Sequence, residues 1–170
     1  TQILTKGLDF HNITLIGVIS SDITLNIPDF RSQERTYQLL TQVSGRSGRG
    51  EKPGKVIIQS FNTEHYSIVC SARGSYNDFF EQELESRQIL GYPPYSKMIE
   101  IILKGRNEKN VSNIAGNIYN KLKRYSLSNK NIGILGPSPM PIAYINKQHR
   151  WHILFKSKNY KIIKNISRNI

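Results

Sequence analysis

From Ile13 to Ser20 the chain is apolar, interrupted only by Thr14 and Gly17 before Ser20, and Asp22 follows directly. A short continuous apolar run predicts a buried strand of parallel type with a functional loop at its end. Between Arg31 and Ser44 the spacing becomes helical, with Tyr37, Leu40 and Ser44 on one side, Leu39 and Val43 adjacent, and Gly45 as the stop. A second apolar run, Lys55 to Phe61, restores a strand. Strand, helix, strand is one piece of a parallel α/β sheet, and two strands fall short of the usual five or so. An N-terminal portion of that domain is therefore expected to be missing. Residues 64–90 set Phe79, Phe80, Leu84, Ile89 and Leu90 among Glu81, Glu83, Glu85 and Arg87, which predicts a connecting helical hairpin. Gly91-Tyr92-Pro93-Pro94-Tyr95 stops it, because proline neither donates in a helix nor lets its predecessor stay helical.

Beyond the prolines a second pattern begins. Ile99, Ile101 and Leu103 alternate with Met98, Glu100, Ile102 and Lys104 as a strand. Asn107 is placed to cap a helix in which Val111, Ile114, Ala115, Ile118, Leu122 and Tyr125 recur at intervals of three, four and seven. Ile132–Leu135 and Trp151–Phe155 read as two strands joined by Gly136-Pro137-Ser138-Pro139-Met140-Pro141, and Asn159 to Arg168 as a last helix carrying Ile162, Ile163 and Ile166. The order β-α-β-β-α is that of a ferredoxin-like unit short of its final strand. The fold class expected is thus α/β, a partial lobe, followed by an α+β ferredoxin-like domain. The division expected is 1–62 for the lobe, 63–94 for the connector and 95–170 for the basic domain.

Charge sharpens that division. Residues 1–94 hold nine Lys/Arg and ten Asp/Glu, whereas residues 95–170 hold fifteen and two, within a total formal charge of +12. A neutral segment followed by a strongly cationic one points to a polyanion such as nucleic acid as the partner of the second. Ile, Asn and Lys make up 53 of the 170 residues, a usage that an AT-rich genome also produces. No apolar run approaches the roughly 20 residues of a membrane span, and residues 1–10 lack the pattern of a secretory signal, so a membrane partner is not expected. One cysteine, Cys70, and four scattered histidines make neither an internal disulfide nor a closed zinc site, which fits a reducing cytoplasm.

The most specific feature is Gln42-Val43-Ser44-Gly45-Arg46-Ser47-Gly48-Arg49-Gly50. Arg46 and Arg49, three apart at a helix end and framed by glycine, can aim two planar forks at one phosphate-sized target. The plainer alternative is that arginines here offset the helix dipole while the glycines cap. Before the first strand, Thr1-Gln2-Ile3-Leu4-Thr5-Lys6-Gly7-Leu8-Asp9-Phe10 offers Gly7 for close backbone approach, Asp9 as an acceptor, and Lys6 or Thr1 for a phosphate.

Taken in this order, the Thr1-to-Phe10 segment, the strand ending at Asp22, Asp29-Phe30-Arg31-Ser32 with Glu34-Arg35, and Gln42 to Arg49 resemble motifs five and six of the primosomal protein N-prime family. The resemblance continues through Arg87, Tyr92-Pro93-Pro94-Tyr95, Leu135-Gly136-Pro137 and Arg150-Trp151. It implies a RecA-like superfamily-two motor, an ATP-driven 3′-to-5′ DNA helicase that restarts stalled replication forks and helps assemble the primosome, in the cytoplasm with the nucleoid. By that resemblance Arg46 and Arg49 contact the γ-phosphate of ATP, Gln42 senses it, Gly7 and Asp9 lie near the ATP cleft, and Thr1 lies near the DNA backbone. The family's basic C-terminal domain binds DNA, which makes Lys97, Lys104, Arg106, Lys147, Arg150 and Lys156, with Lys6, candidate phosphate contacts. Trp151 or Tyr144 can stack on a base, although Trp151 with Ile153 and Phe155 at period two equally reads as core.

The family's phosphate loop, its Mg²⁺-binding acidic motif and its zinc-binding insertion lie upstream of motif five, so this chain by itself is expected not to hydrolyse ATP. Its closing strand lies beyond Ile170. Gln148 and His152 stand where Arg and Gln are usual in the family's pocket for single-strand-binding protein, so that contact does not carry over intact. The expected partners are forked or single-stranded DNA and other primosome proteins. Two other readings stay open at this point: a non-enzymatic nucleic-acid-binding module with a vestigial helicase remnant, and a ribosome-associated RNA binder.

Overall fold

A computed structural model of the chain describes residues 13–47, 53–128 and 132–169. Helix and strand are mixed throughout, and the chain divides into two compact units, Thr1–Ser86 and Arg87–Ile170.

In the first unit, β1 (Leu15–Val18) pairs in parallel with β2 (Lys55–Ile58), Ile16 facing Val56 in register. The expected strand over Ile13–Ser20 is therefore shorter, and it is not buried on both faces. Ile16 is buried, but Leu15 is 59% and Ile19 81% exposed, because among the described residues no further strand or helix covers them. The second run likewise ends at Ile58, where the chain turns into a loop. Between the strands lie the short α1 (Asp22–Leu25) and then α2 (Ser32–Ser44), which Gly45 ends as expected, its N–H donating to the Thr41 carbonyl at 3.0 Å. α2 buries Thr36, Tyr37, Leu40 and Val43. The helical hairpin is α3 (Tyr66–Arg73) and α4 (Tyr76–Leu90). Its core is aromatic: Tyr37 stacks on Phe79 with ring centres 4.1 Å apart, beside Cys70 and Tyr66. Of the apolar residues expected along α4, Phe79 is buried, whereas Phe80, Ile89 and Leu90 are exposed.

The second unit is a three-stranded antiparallel sheet with helices packed on it. Strands β3 (Lys97–Gly105), β4 (Ile132–Ile145) and β5 (Gln148–Ser157) lie in the order β3-β5-β4. Helix α5 (Glu108–Ser128) follows β3, and α6 (Tyr160–Asn169) follows β5. Alternation puts Ile99, Ile101, Ile153 and Phe155 on the inner face, where they meet Leu122 and Ile163. Ile153 and Phe155 are fully buried, each contributing about 1.5–3 kcal/mol by leaving water. Asn107 caps α5 as expected, its Oδ1 accepting from the Asn110 N–H at 3.0 Å. Val111, Ala115 and Leu122 are buried, while Ile114 and Tyr125 of the same expected stripe are exposed.

One expectation fails outright in this unit. Gly136-Pro137-Ser138-Pro139-Met140-Pro141 is not a connection but the middle of β4, a strand of 14 residues. Its register against β5 shifts between Leu135 and Ser138 and again between Pro139 and Tyr144. Proline is tolerated because β4 lies at the sheet's edge and the shifts absorb the missing donors. The true connection is Asn146-Lys147, both at positive φ (51° and 58°), the geometry of a tight hairpin turn.

Candidate functional site

Each unit has its own candidate site. In the first, the carboxyl ends of the two parallel strands are tied together by Asp22. Ser60 Oγ donates to its Oδ1 at 2.7 Å, and the N–H groups of Phe61 and Asn62 donate at 3.0 and 3.3 Å. Those bonds, Ser60 first, hold the Asp22 carboxyl below the usual carboxylate range. Next to it, Ser21 N–H and Oγ both donate to the Gln59 carbonyl, at 3.1 and 3.2 Å. The carboxyl ends of parallel strands are where open α/β sheets place their ligands, and this clamp fixes the loops at that end of the pair.

Helix α2 supplies the arginine motif. Its entry is organised by Asp29, which accepts from the Arg31 N–H at 3.0 Å and pairs with Arg35 at 2.9 Å. At its exit Gln42 is exposed, and Arg46 is half-buried with its N–H donating to the Val43 carbonyl at 3.1 Å. Gln42 and Arg46 are thus one helical turn apart at the same helix end. Arg49, Thr1, Lys6, Gly7 and Asp9 lie outside the described residues.

In the second unit the cations expected to contact phosphate separate into groups. Lys97 and Gly105 end β3, and about 3.4 Å per residue puts them roughly 27 Å apart, so Lys97 and Arg106 cannot meet one nucleotide. Lys104 and Arg150 are cross-strand neighbours on the outer face; Arg150 is half-buried, and its Nε takes no hydrogen bond. Lys147 projects from the hairpin turn, near Tyr144, whose ring tilts against His149 at 4.8 Å. Lys156 is engaged within its own unit, donating to the Leu90 carbonyl at 2.6 Å and lying over the Tyr92 ring at 5.0 Å. His152, on the same outer face as Lys104, pairs with Glu100 at 2.8 Å.

The end of the inner face carries an open groove of about 600 Å³ lined by Arg106, Asn107, Glu108, Lys109, Ser112, His149 and Trp151. Trp151 pairs in register with Leu103 and is partly exposed, so it ends the apolar row of Ile153 and Phe155 rather than being sealed in it. Gly105 lets the helix start close to the strand end: a Cβ there would lie 2.7 Å from Val111 Cγ2. The side chains of Arg106 and Lys109 take no ion pair or hydrogen bond among the described residues, and Glu108 is engaged by His149 at 3.7 Å. Sequence reasoning named Arg106 and Trp151 separately but missed Lys109 and His149. The signal available was the Arg106-Asn107-Glu108-Lys109 start of a helix directly after a strand.

Among the described residues no group of three or more His, Cys, Asp or Glu is placed to hold a metal ion, and no helix is long and apolar enough to cross a membrane.

The two units, one with a parallel strand pair and a helix carrying Arg46 at its exit and one a cationic helix-on-sheet layer, define a mixed chain of helix and sheet. Residues 88–170 match the family model of the primosomal protein N C-terminal domain. The chain is 44% identical over 169 residues, 99% of its length, to the replication restart protein PriA of Synechocystis. Over 158 residues, 93% of its length, it is 45% identical to PriA of Bacillus subtilis, and over 166 residues 36% identical to PriA of Borreliella burgdorferi. The chain spans 20%, 19% and 25% of the length of those three relatives.

Proposed function

We propose that the chain is a segment of an ATP-dependent 3′-to-5′ DNA helicase that restarts stalled replication forks and assembles the primosome. The observation that carries this reading is the match to replication restart proteins along 93–99% of the chain, across both units. In this reading residues 1–62 form part of a RecA-like second motor lobe, 63–94 the connector and 95–170 the DNA-binding domain. The parallel β1–β2 pair with α2 between them supports the lobe, and the order β3-β5-β4 supports a ferredoxin-like domain with room for one more strand beside β3.

Gln42 and Arg46 at the exit of α2, with Arg49, present guanidinium forks and an amide where the γ-phosphate of ATP is held in the longer protein. Positive charge there stabilises the phosphoryl oxygens as the bond to the leaving phosphate breaks. ATP and Mg²⁺ are bound mainly by parts of such a protein outside this chain. Gly7 and Asp9 contribute the near edge of that cleft, and Thr1 and Lys6 the DNA backbone. The Asp22 clamp ties the segment after β1 to the loop after β2. Forked or single-stranded DNA and the other primosome proteins are the partners of the whole.

The test uses the longer native protein that carries this segment. Arg46→Ala and Arg49→Ala are each expected to abolish DNA-stimulated ATP hydrolysis while leaving the affinity for forked DNA within about twofold, since arginine fingers of this kind contribute ~10³-fold or more to turnover. Unchanged hydrolysis in both variants removes the assigned role.

A further inference from the structure

The groove at the start of α5 has a composition that a general phosphate-binding surface does not need. We propose that it is a subsite for one unpaired nucleotide of a single DNA strand, the base lying on the Trp151 indole and its phosphate between Arg106 and Lys109. The inference rests on the reading of the C-terminal unit as nucleic-acid-binding and adds where, and in what form, the strand is held.

Three features of the groove carry it. The groove is open to solvent, and its volume of about 600 Å³ gives room for one nucleotide. Its aromatic wall is Trp151, partly exposed at the end of a row whose other members, Ile153 and Phe155, are wholly buried. An indole left partly open beside two cations is the arrangement that holds stacked bases and their phosphates. Finally, Arg106 and Lys109 have no side-chain partner among the described residues, and the groove's one carboxylate, Glu108, has its side chain 56% exposed with an oxygen 3.7 Å from His149 Nδ1. The lining thus sets two cations against one carboxylate. A base inside a duplex keeps its faces covered by its neighbours and cannot reach the indole, so the groove selects unpaired nucleotides.

Trp151 is the only tryptophan in the sequence, so its own emission reports the site. The full chain is titrated with a labelled oligothymidylate and, separately, with a duplex of the same length, following DNA anisotropy and tryptophan emission together. The expected result is saturable quenching that tracks single-strand binding, and duplex binding without quenching. Trp151→Ala is expected to weaken single-strand binding about tenfold, the size of one lost base stack, with duplex binding unchanged. Ser112→Tyr, which fills the groove and leaves the indole in place, is expected to produce the same selective loss. The wild-type titration needs neither variant to fold. Single-strand binding with unaltered emission, or equal quenching by duplex, overturns the subsite while leaving the DNA-binding reading standing. Absence of binding to either DNA overturns that reading itself.

Discussion

At the scale of single residues, two glycines show how position outweighs type. Gly136 sits at φ +96°, and a Cβ there would lie 2.8 Å from the His152 carbonyl oxygen, within a backbone region that L-residues rarely enter. Gly136→Ala is expected to lower the unfolding free energy by about 1–3 kcal/mol, read from a denaturant titration. Gly105 has an ordinary φ, but a methyl there presses on Val111, so Gly105→Ala costs through the start of α5 instead and should reshape the groove. Nothing in the local sequence separates the two cases: Gly136 stands among prolines and reads as loop, whereas its constraint comes from the neighbouring strand. Asp22 is the same lesson in a polar residue. Its partners Ser60, Phe61 and Asn62 lie about forty positions away, so the sequence marks it only as the end of a strand. Asn107 was legible because a cap acts on its own next turn.

At the scale of elements, α3 shows a histidine in a capping role. His65 Nδ1 accepts from the Ser67 N–H at 3.2 Å, and the ring stacks on Tyr66 at 4.6 Å. Burial pushes its pKa below the ordinary 6.5, against the pull of the Glu83 carboxylate. A value lower folded than unfolded means that the unfolded chain takes the proton first. The stability this neutral cap contributes is fully present above about 6.5 and is lost as pH falls through the lower folded value. Urea midpoints measured at pH 7.5 and in mild acid should therefore fall for the native chain, and fall less for His65→Asn. The Asp22 clamp has the same sign further into acid, its contribution holding above the ordinary 3.8 and failing as pH drops through the depressed folded value. Between α2 and α4, Phe79→Ala removes the ring stacked on Tyr37 and is expected to cost about 3–5 kcal/mol, seen as an early loss of helical signal on heating. Helices with a periodic stripe were legible as helices. What covers the stripe was not, as Ile114, Phe80 and Ile89 show, since coverage depends on neighbours that periodicity does not name. Strand β4 was misread for a related reason: its prolines are local signals for a loop, and pairing with β5 overrides them.

At the scale of the molecule, both units leave large apolar side chains to solvent. The first exposes Leu15, Ile19, Ile23, Ile57 and Phe61, the last at 95%, on and around a sheet of two strands. Apolar patches of this kind bind partners or aggregate. Replacing Phe61 and Ile19 with Ser is expected to raise the solubility of the chain and reduce binding of an apolar dye, with the far-UV spectrum unchanged. The cationic half was the most legible global property, because charge sums without reference to fold. Its resolution into an outer-face pair, a hairpin tip and a groove needed the register of β3 against β5.

The prolines of β4 have a last effect, on assembly. The sheet of the C-terminal unit ends on one side in β3 and on the other in β4, and Pro137, Pro139 and Pro141 strip three amide donors from the second. Strand addition to that sheet is therefore lopsided. A visiting strand, whether from a second copy or from a longer version of the same chain, finds an unbroken row of donors along β3 and an interrupted one along β4.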